Sequence, residues 1–62
     1  MNLNKKPKFT TIVYFPNAIK KEYPNITNLS KFKIFLNEKY PNWVYFNLYD
    51  GHTKDFIEHI KK

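Results

Sequence analysis

The side chains that could do acid–base or metal chemistry lie close together near the carboxyl end of the chain. Two histidines, His52 and His59, stand among Asp50, Asp55 and Glu58. On a helix, Asp55 and His59 would lie one turn apart, and a neighbouring carboxylate favours the charged imidazole. A metal needs three or four converging ligands, and this spacing matches no familiar zinc or calcium pattern. We therefore expect no metal site and no catalytic residue here.

Other enzyme chemistries lack the residues they need. The lone glycine, Gly51, cannot build a P-loop or a dinucleotide-binding turn, each of which uses several glycines. Ser30 is the only serine, it follows no nucleophile-elbow pattern, and the chain has no cysteine. The sequence thus predicts a binding protein without a cofactor and not an enzyme.

The lack of cysteine also removes disulfides, which favours a cytoplasmic location. The amino-terminal residues show no apolar leader, and no apolar stretch approaches the roughly 18 residues that cross a bilayer. We therefore expect no membrane association.

Aromatic residues dominate two short runs whose composition favours β-strands. Twelve of the 62 residues are aromatic, and most lie in residues 9–15 (FTTIVYF) and 43–49 (WVYFNLY). The predicted fold is a small α+β domain spanning residues 1–62. A single-layer sheet with strands at about 8–15 and 43–49 packs on a helix at about 28–39. If these two strands pair in parallel, the helix forms a right-handed crossover between them.

The helix is predicted from apolar residues that recur at helical spacing. Thr27 or Asn28 can cap its start, and Asn37 is expected on its solvated side. The apolar stripe consists of Leu29, Phe32, Phe35, Leu36 and Tyr40, and Ile34 points away from it.

Three aromatic-Pro-Asn triplets, at residues 15–17, 23–25 and 40–42, mark the boundaries of elements. Asn17 is expected to cap one or two helical turns over residues 18–22. Asp50-Gly51 signals a turn, after which residues 53–61 form either a helix or a third strand. The helix is favoured, because a two-residue hairpin would set Asp55 opposite Phe46 and spoil the buried face.

One face of the sheet is expected to carry rings that the helix does not cover. Strand alternation directs Phe9, Val13, Phe15, Val44, Phe46 and Leu48 toward the helix. It places Ile12, Tyr14, Trp43, Tyr45 and Tyr49 on the opposite side. Rings on an open sheet can stack nucleobases. Tyr and Trp also suit a protein interface, and the face could instead be buried within the chain or in a homodimer.

The formal charge of +6 comes from eleven lysines and no arginine. Five lysines lie at the two ends of the chain: Lys5, Lys6 and Lys8 in a basic arm at residues 1–8, and Lys61 and Lys62. These lysines either hold phosphates or are solvated tails. Lysine without arginine disfavours bidentate guanine readout and arginine-finger chemistry.

The sequence predicts a small basic accessory or regulatory protein of the kind common in phages and mobile elements. Nucleic acid is the first expected partner, bound by the terminal lysines and by Tyr14, Trp43, Tyr45 and Tyr49. The alternative is a protein-binding module or inhibitor that sets the same rings against an acidic protein. Pairing of strand edges in a homodimer is a further expectation, because two strands make a poor sheet alone.

Overall fold

The computed structural model describes residues 8–62 as an open antiparallel sheet with one helix on it. The elements, in chain order, are β1 (Phe9–Tyr14), a 3₁₀ turn (Pro16–Ala18), β2 (Lys20–Ile26), α1 (Leu29–Lys39), β3 (Tyr45–Asp50) and β4 (Phe56–Lys61). The strand order is β2-β1-β3-β4, and each neighbouring pair is antiparallel. The α+β class and the helix are confirmed, and the parallel pairing of the two aromatic strands is wrong. Apart from Lys8, the basic arm lies outside the described residues.

The segment after β1 forms a hairpin and not a helix. Asn17 and Ala18 adopt left-handed backbone angles, with φ of 67° and 62°, and Phe15 N–H donates to the Ile19 carbonyl at 2.8 Å. The prediction that Asn17 caps a helix over residues 18–22 is therefore wrong, and β2 begins at Lys20. Asparagine is used here because it tolerates left-handed angles, which reverse the chain.

The helix α1 follows its predicted boundaries and packs on the sheet through part of its predicted stripe, of which Phe35 is exposed. The side chain of Asn28 accepts from Lys31 N–H at 3.0 Å, so Asn28 is the cap. Phe32 and Leu36 are buried, whereas Ile34 is exposed, as predicted. Pro41 disfavours helical angles at Tyr40 and follows the last turn.

The core lies between α1 and one sheet face. Phe32 meets Phe46 edge to face with centroids 5.3 Å apart, and Tyr23 meets Phe32 in the same way at 5.4 Å. The buried cluster consists of Val13, Phe15, Phe32, Leu36, Trp43 and Phe46. Aromatic pairs of this kind add about 0.5–1.5 kcal/mol each beyond their buried area.

The carboxyl-terminal segment is the strand β4, so the favoured helix over residues 53–61 is wrong and the competing strand is correct. Residues 51–55 form a longer connection than a two-residue hairpin, which changes the pairing. Ile60 now lies opposite Phe46, and Glu58 lies opposite Leu48. The predicted clash between Asp55 and the buried face does not arise, because Asp55 precedes the strand.

Candidate nucleic-acid interface

The side of the sheet opposite α1, which we call the open face, is assembled from residues of all four strands. The side chains of cross-strand partners project from the same side of a sheet, so the pairing register shows which residues belong to the open face. They are Lys20 and Glu22 on β2, Thr10, Ile12 and Tyr14 on β1, Tyr45, Asn47 and Tyr49 on β3, and Phe56, His59 and Lys61 on β4. The predicted placement of Ile12, Tyr14, Tyr45 and Tyr49 on this side is confirmed.

Three rings on the open face lie side by side across the sheet, two of them stacked and the third tilted, and we call them the ring column. Tyr14 and Tyr45 stack with centroids 4.6 Å apart and planes 21° apart. His59, on the other side of Tyr45, has its ring centroid 4.6 Å from that of Tyr45. Tyr45 is therefore held between two rings, whereas Tyr14 has one ring neighbour and a second ring face directed toward β2.

Lysines stand at both ends of the sheet row that contains the two tyrosines. Lys20 is the β2 partner of Tyr14, and Lys61 is the β4 partner of Tyr45. The row therefore reads Lys20, Tyr14, Tyr45, Lys61 across the four strands. Both lysines are exposed. Two aromatic rings between two ammonium groups can hold a stacked base with phosphates on either side.

A hydrogen bond fixes the histidine at the end of the ring column. Nδ1 of His59 lies 2.8 Å from Oδ1 of Asn47, its cross-strand partner. This contact holds the imidazole beside the Tyr45 ring.

Trp43 does not belong to the open face, and its predicted role as a binding residue is wrong. Its side chain is 2% exposed, lies in the core beside Phe46, and donates from Nε1 to Oδ1 of Asn37 at 2.9 Å. The physical reason is that β3 begins only at Tyr45. Trp43 N–H donates to the Tyr40 carbonyl at 3.1 Å, which continues the turn instead of the strand.

Val44 is exposed for the same reason, although alternation predicted it to be buried. Its N–H donates to the Tyr14 carbonyl at 2.8 Å, while its carbonyl accepts from Lys62 N–H at 3.2 Å. The backbone groups of Val44 thus point to both neighbouring strands. This irregularity exchanges the inward and outward positions of residues 43 and 44.

The terminal lysines are divided between the two sides of the molecule. Lys61 reaches the open face, but Lys62 lies on the helix side, where its Nζ is 5.9 Å from the Trp43 ring centroid and donates to the Pro41 carbonyl. Lys8 is exposed just before β1. Lys5 and Lys6 lie outside the described residues.

Within the group of histidines and carboxylates near the carboxyl end, the carboxylate of Asp50 stabilises a turn. Oδ1 of Asp50 accepts from Thr53 N–H at 2.9 Å and from His52 N–H at 2.7 Å. These backbone hydrogen bonds, the one from Thr53 first, hold the pKa of Asp50 below its ordinary value. Within residues 8–62, no three His, Asp or Glu side chains converge in a way that could hold a metal ion.

Sequence reasoning missed two lysines: Lys20 on the open face, and Lys54, whose side chain reaches that face from the connection between β3 and β4. Lys54 follows the Asp50 turn with φ of 70°, and its Nζ donates to Oγ1 of Thr10 at 3.3 Å. Lys20 was missed because the sequence favours a helix over residues 18–22. Residues 20–23 (KKEY) show no alternation of apolar and polar residues, so the sequence contains no local signal for this edge strand.

Comparison of the chain with protein-family models, with curated proteins and with solved structures finds no match. Over the part of the chain that the structure describes, the one helix is too short to cross a membrane.

Proposed function

We propose that this protein binds single-stranded nucleic acid on the open face of its sheet. The observation that carries the proposal is the row Lys20, Tyr14, Tyr45, Lys61, which places stacked rings between two exposed ammonium groups. A single strand offers both partners at once, because its bases are free to stack and its phosphates follow at regular intervals.

Charge supports the proposal. The formal charge is +6, and of the residues that the strands contribute to the open face within residues 8–62, Glu22 is the only carboxylate. A lysine ammonium group contacts a phosphate as a point charge and does not need the planar donor geometry of arginine. Lysines therefore suit binding along a phosphate backbone. Lys5 and Lys6 remain candidate phosphate contacts from the amino-terminal side.

The proposal is tested by fluorescence anisotropy with a labelled single-stranded oligonucleotide at several salt concentrations. Affinity is expected to fall steeply with salt, because each phosphate that a lysine neutralises releases a counterion. The double variant Lys20→Ala/Lys61→Ala should weaken binding and flatten the salt slope by about 1.4, or 0.7 for each phosphate that is no longer neutralised.

The matched control is Lys31→Ala/Lys33→Ala, which removes two exposed lysines from α1. It changes the net charge equally and leaves the open face intact. If both double variants weaken binding by the same amount, the affinity comes from net charge and not from the row of rings. An affinity that does not change with salt concentration, or the absence of binding, refutes the proposed function.

A second candidate function, formation of a homodimer, is favoured by β4, which is an edge strand of the sheet that residues 8–62 form. Lys62 N–H donates to the Val44 carbonyl just before β3, so strand alternation turns the backbone groups of His59 and Lys61 outward. Beside them Phe56 and Ile57 are exposed. The other edge, β2, carries Pro24 and a left-handed Asn25, which obstruct pairing.

In this candidate function, the partner is β4 of a second copy, which would join two sheets edge to edge. Sedimentation velocity over a range of protein concentrations tests it. Ile57→Lys should abolish the dimer, because a charge at an edge opposes pairing, whereas Ile19→Lys, at an exposed isoleucine away from the edge, should retain it. A monomer at every concentration refutes this candidate.

A further inference from the structure

A shallow pocket of about 240 Å³ opens on the open face beside the ring column. It is lined by Thr10, Ile12, Glu22, Tyr49 and Lys54. Pockets for drug-sized ligands measure roughly 300 to 1,000 Å³, so this one suits a single flat ring system. The inference drawn from it rests on the proposed function, since it concerns which base that function reads.

The pocket combines an apolar floor with an aromatic wall. Ile12 lies on the central strand β1 and is half-buried. Tyr49 is held edge to face by Phe56, with centroids 5.8 Å apart and planes 74° apart, which limits the positions of its ring. A nucleobase can lie against both surfaces, because its ring faces are apolar and its edges are polar.

Two charged groups enter the pocket from different sides. Glu22 comes from β2, where it is the cross-strand partner of Ile12. Lys54 comes from the connection between β3 and β4, and its Nζ is held by Oγ1 of Thr10 at 3.3 Å. The lining of the pocket thus includes one carboxylate, an acceptor, and one ammonium group, a donor.

We propose that this pocket binds guanine. The Watson–Crick edge of guanine presents two parallel donors, N1–H and the N2 amino group, beside the acceptor O6. A carboxylate accepts both donors at once, and an ammonium group donates to O6. Glu22 and Lys54 supply this pair of groups.

The other bases fit this pair of charges less well. Cytosine and adenine each offer an amino group next to a ring nitrogen that accepts, and that nitrogen repels a carboxylate. Thymine and uracil offer one N–H between two carbonyl oxygens, which repel a carboxylate on both sides. Guanine alone among the common bases offers two adjacent donors on this edge.

The experiment compares three single-stranded oligonucleotides that differ at one central position in a thymine background: guanine, hypoxanthine or thymine. Hypoxanthine lacks only the 2-amino group, so it isolates one of the two donors to Glu22. The guanine strand is expected to bind about 5-fold or more tighter than the thymine strand. The hypoxanthine strand should lie between them.

Glu22→Gln should bring the guanine-to-thymine affinity ratio close to one, because the amide has one accepting oxygen and cannot accept both donors of guanine. Glu38→Gln, at an exposed position of α1, removes the same charge away from the pocket and should keep the ratio. The ratio is the readout because removing any carboxylate strengthens binding to all strands.

Two results would overturn guanine binding while the proposed function stands. These are salt-sensitive binding with equal affinity for the three strands, and a guanine preference that Glu22→Gln leaves unchanged. If none of the strands binds, the proposed function and the guanine pocket fail together.

Discussion

Tyr14 and Tyr45 stack face to face across the two central strands, with ring centroids 4.6 Å apart and planes 21° apart. His59 covers the other side of Tyr45 at a centroid distance of 4.6 Å. The two tyrosines are thus not equivalent. The ring face of Tyr14 that points away from Tyr45 is the place in the ring column where, on the proposed function, a base can stack without separating two rings.

Replacement of Tyr14 by alanine should therefore weaken binding of single strands by about 1–3 kcal/mol, the range for loss of one stacked base. Tyr14→Phe keeps the ring and should retain most of the affinity. Anisotropy titrations at one salt concentration measure both, with urea unfolding to confirm that each variant is folded. Equal losses for the alanine and phenylalanine variants would show that the hydroxyl acts and not the ring.

Because Trp43 donates a hydrogen bond to Asn37, we expect substitution of Asn37, an exposed residue of α1, to destabilise the protein. Nε1 of Trp43 donates to Oδ1 of Asn37 at 2.9 Å, and the indole is almost fully buried. Asn37→Ala leaves this donor unpaired and should lower the free energy of unfolding by about 1–3 kcal/mol. Urea unfolding followed by tryptophan fluorescence measures it, since Trp43 is the only tryptophan.

The control for this substitution is Glu38→Ala at the next position of α1, which is also exposed. It should change stability by no more than about 0.5 kcal/mol, as is usual for surface sites. If both variants are equally stable, Asn37 contributes no more than an ordinary surface residue.

The helix and the sides of the central strands could be predicted from the sequence because each is specified locally. Apolar spacing gives α1, the side chain of Asn28 caps it, and alternation places Val13 and Phe46 inward and Tyr45 outward. Within β3, which begins at Tyr45, the pattern and the structure agree.

The two hairpins could not be predicted in the same way, because their outer strands β2 and β4 are fixed by pairing with a neighbouring strand and not by an alternating pattern of their own. The strand β2 is exposed over most of its length and has little apolar pattern of its own. It is fixed by pairing with β1, where Val13 lies opposite Lys21. Likewise β4 has a helical pattern of apolar residues, but pairing with β3 overrides that preference.

The candidate site was predicted in part for the same reason. Tyr14 and Tyr45 follow from strand alternation, whereas Lys20 and Lys54 require the register of β2 and the path of the β3–β4 connection. Trp43 was misplaced because alternation was extended across residues that lie outside the strand. A ring next to a Pro-Asn turn cannot be assigned to a face by period alone.

The turn that starts at Asp50 predicts a loss of stability in acid. Its carboxylate accepts from Thr53 and His52 N–H groups, which lowers its pKa in the folded protein. A lowered folded pKa means that this contribution is fully present above the ordinary pKa of about 3.9 and is lost as the pH falls through the lowered value. Urea unfolding between neutral and acidic pH measures this trend.

Two variants separate the charge of Asp50 from its hydrogen bonds. Asp50→Asn keeps an accepting oxygen and should flatten the acid dependence while retaining the turn. Asp50→Ala removes the acceptor and should lower stability at neutral pH as well. If the free energy of unfolding of Asp50→Asn falls in acid as much as that of the unsubstituted protein, other carboxylates cause the loss.

Gly51 should not tolerate a side chain, because the start of β1 lies against it. A Cβ added at this position would lie 2.6 Å from the carbonyl oxygen of Lys8, and Gly51 N–H donates to that same oxygen at 2.8 Å. Gly51→Ala must displace one backbone segment, which costs about 1–3 kcal/mol in a packed region. The free energy of unfolding, measured in urea, tests this. His52→Ala, an exposed change in the same turn, should cost no more than about 0.5 kcal/mol. Equal stability of the two variants would mean that the approach of Lys8 to the turn is not rigid.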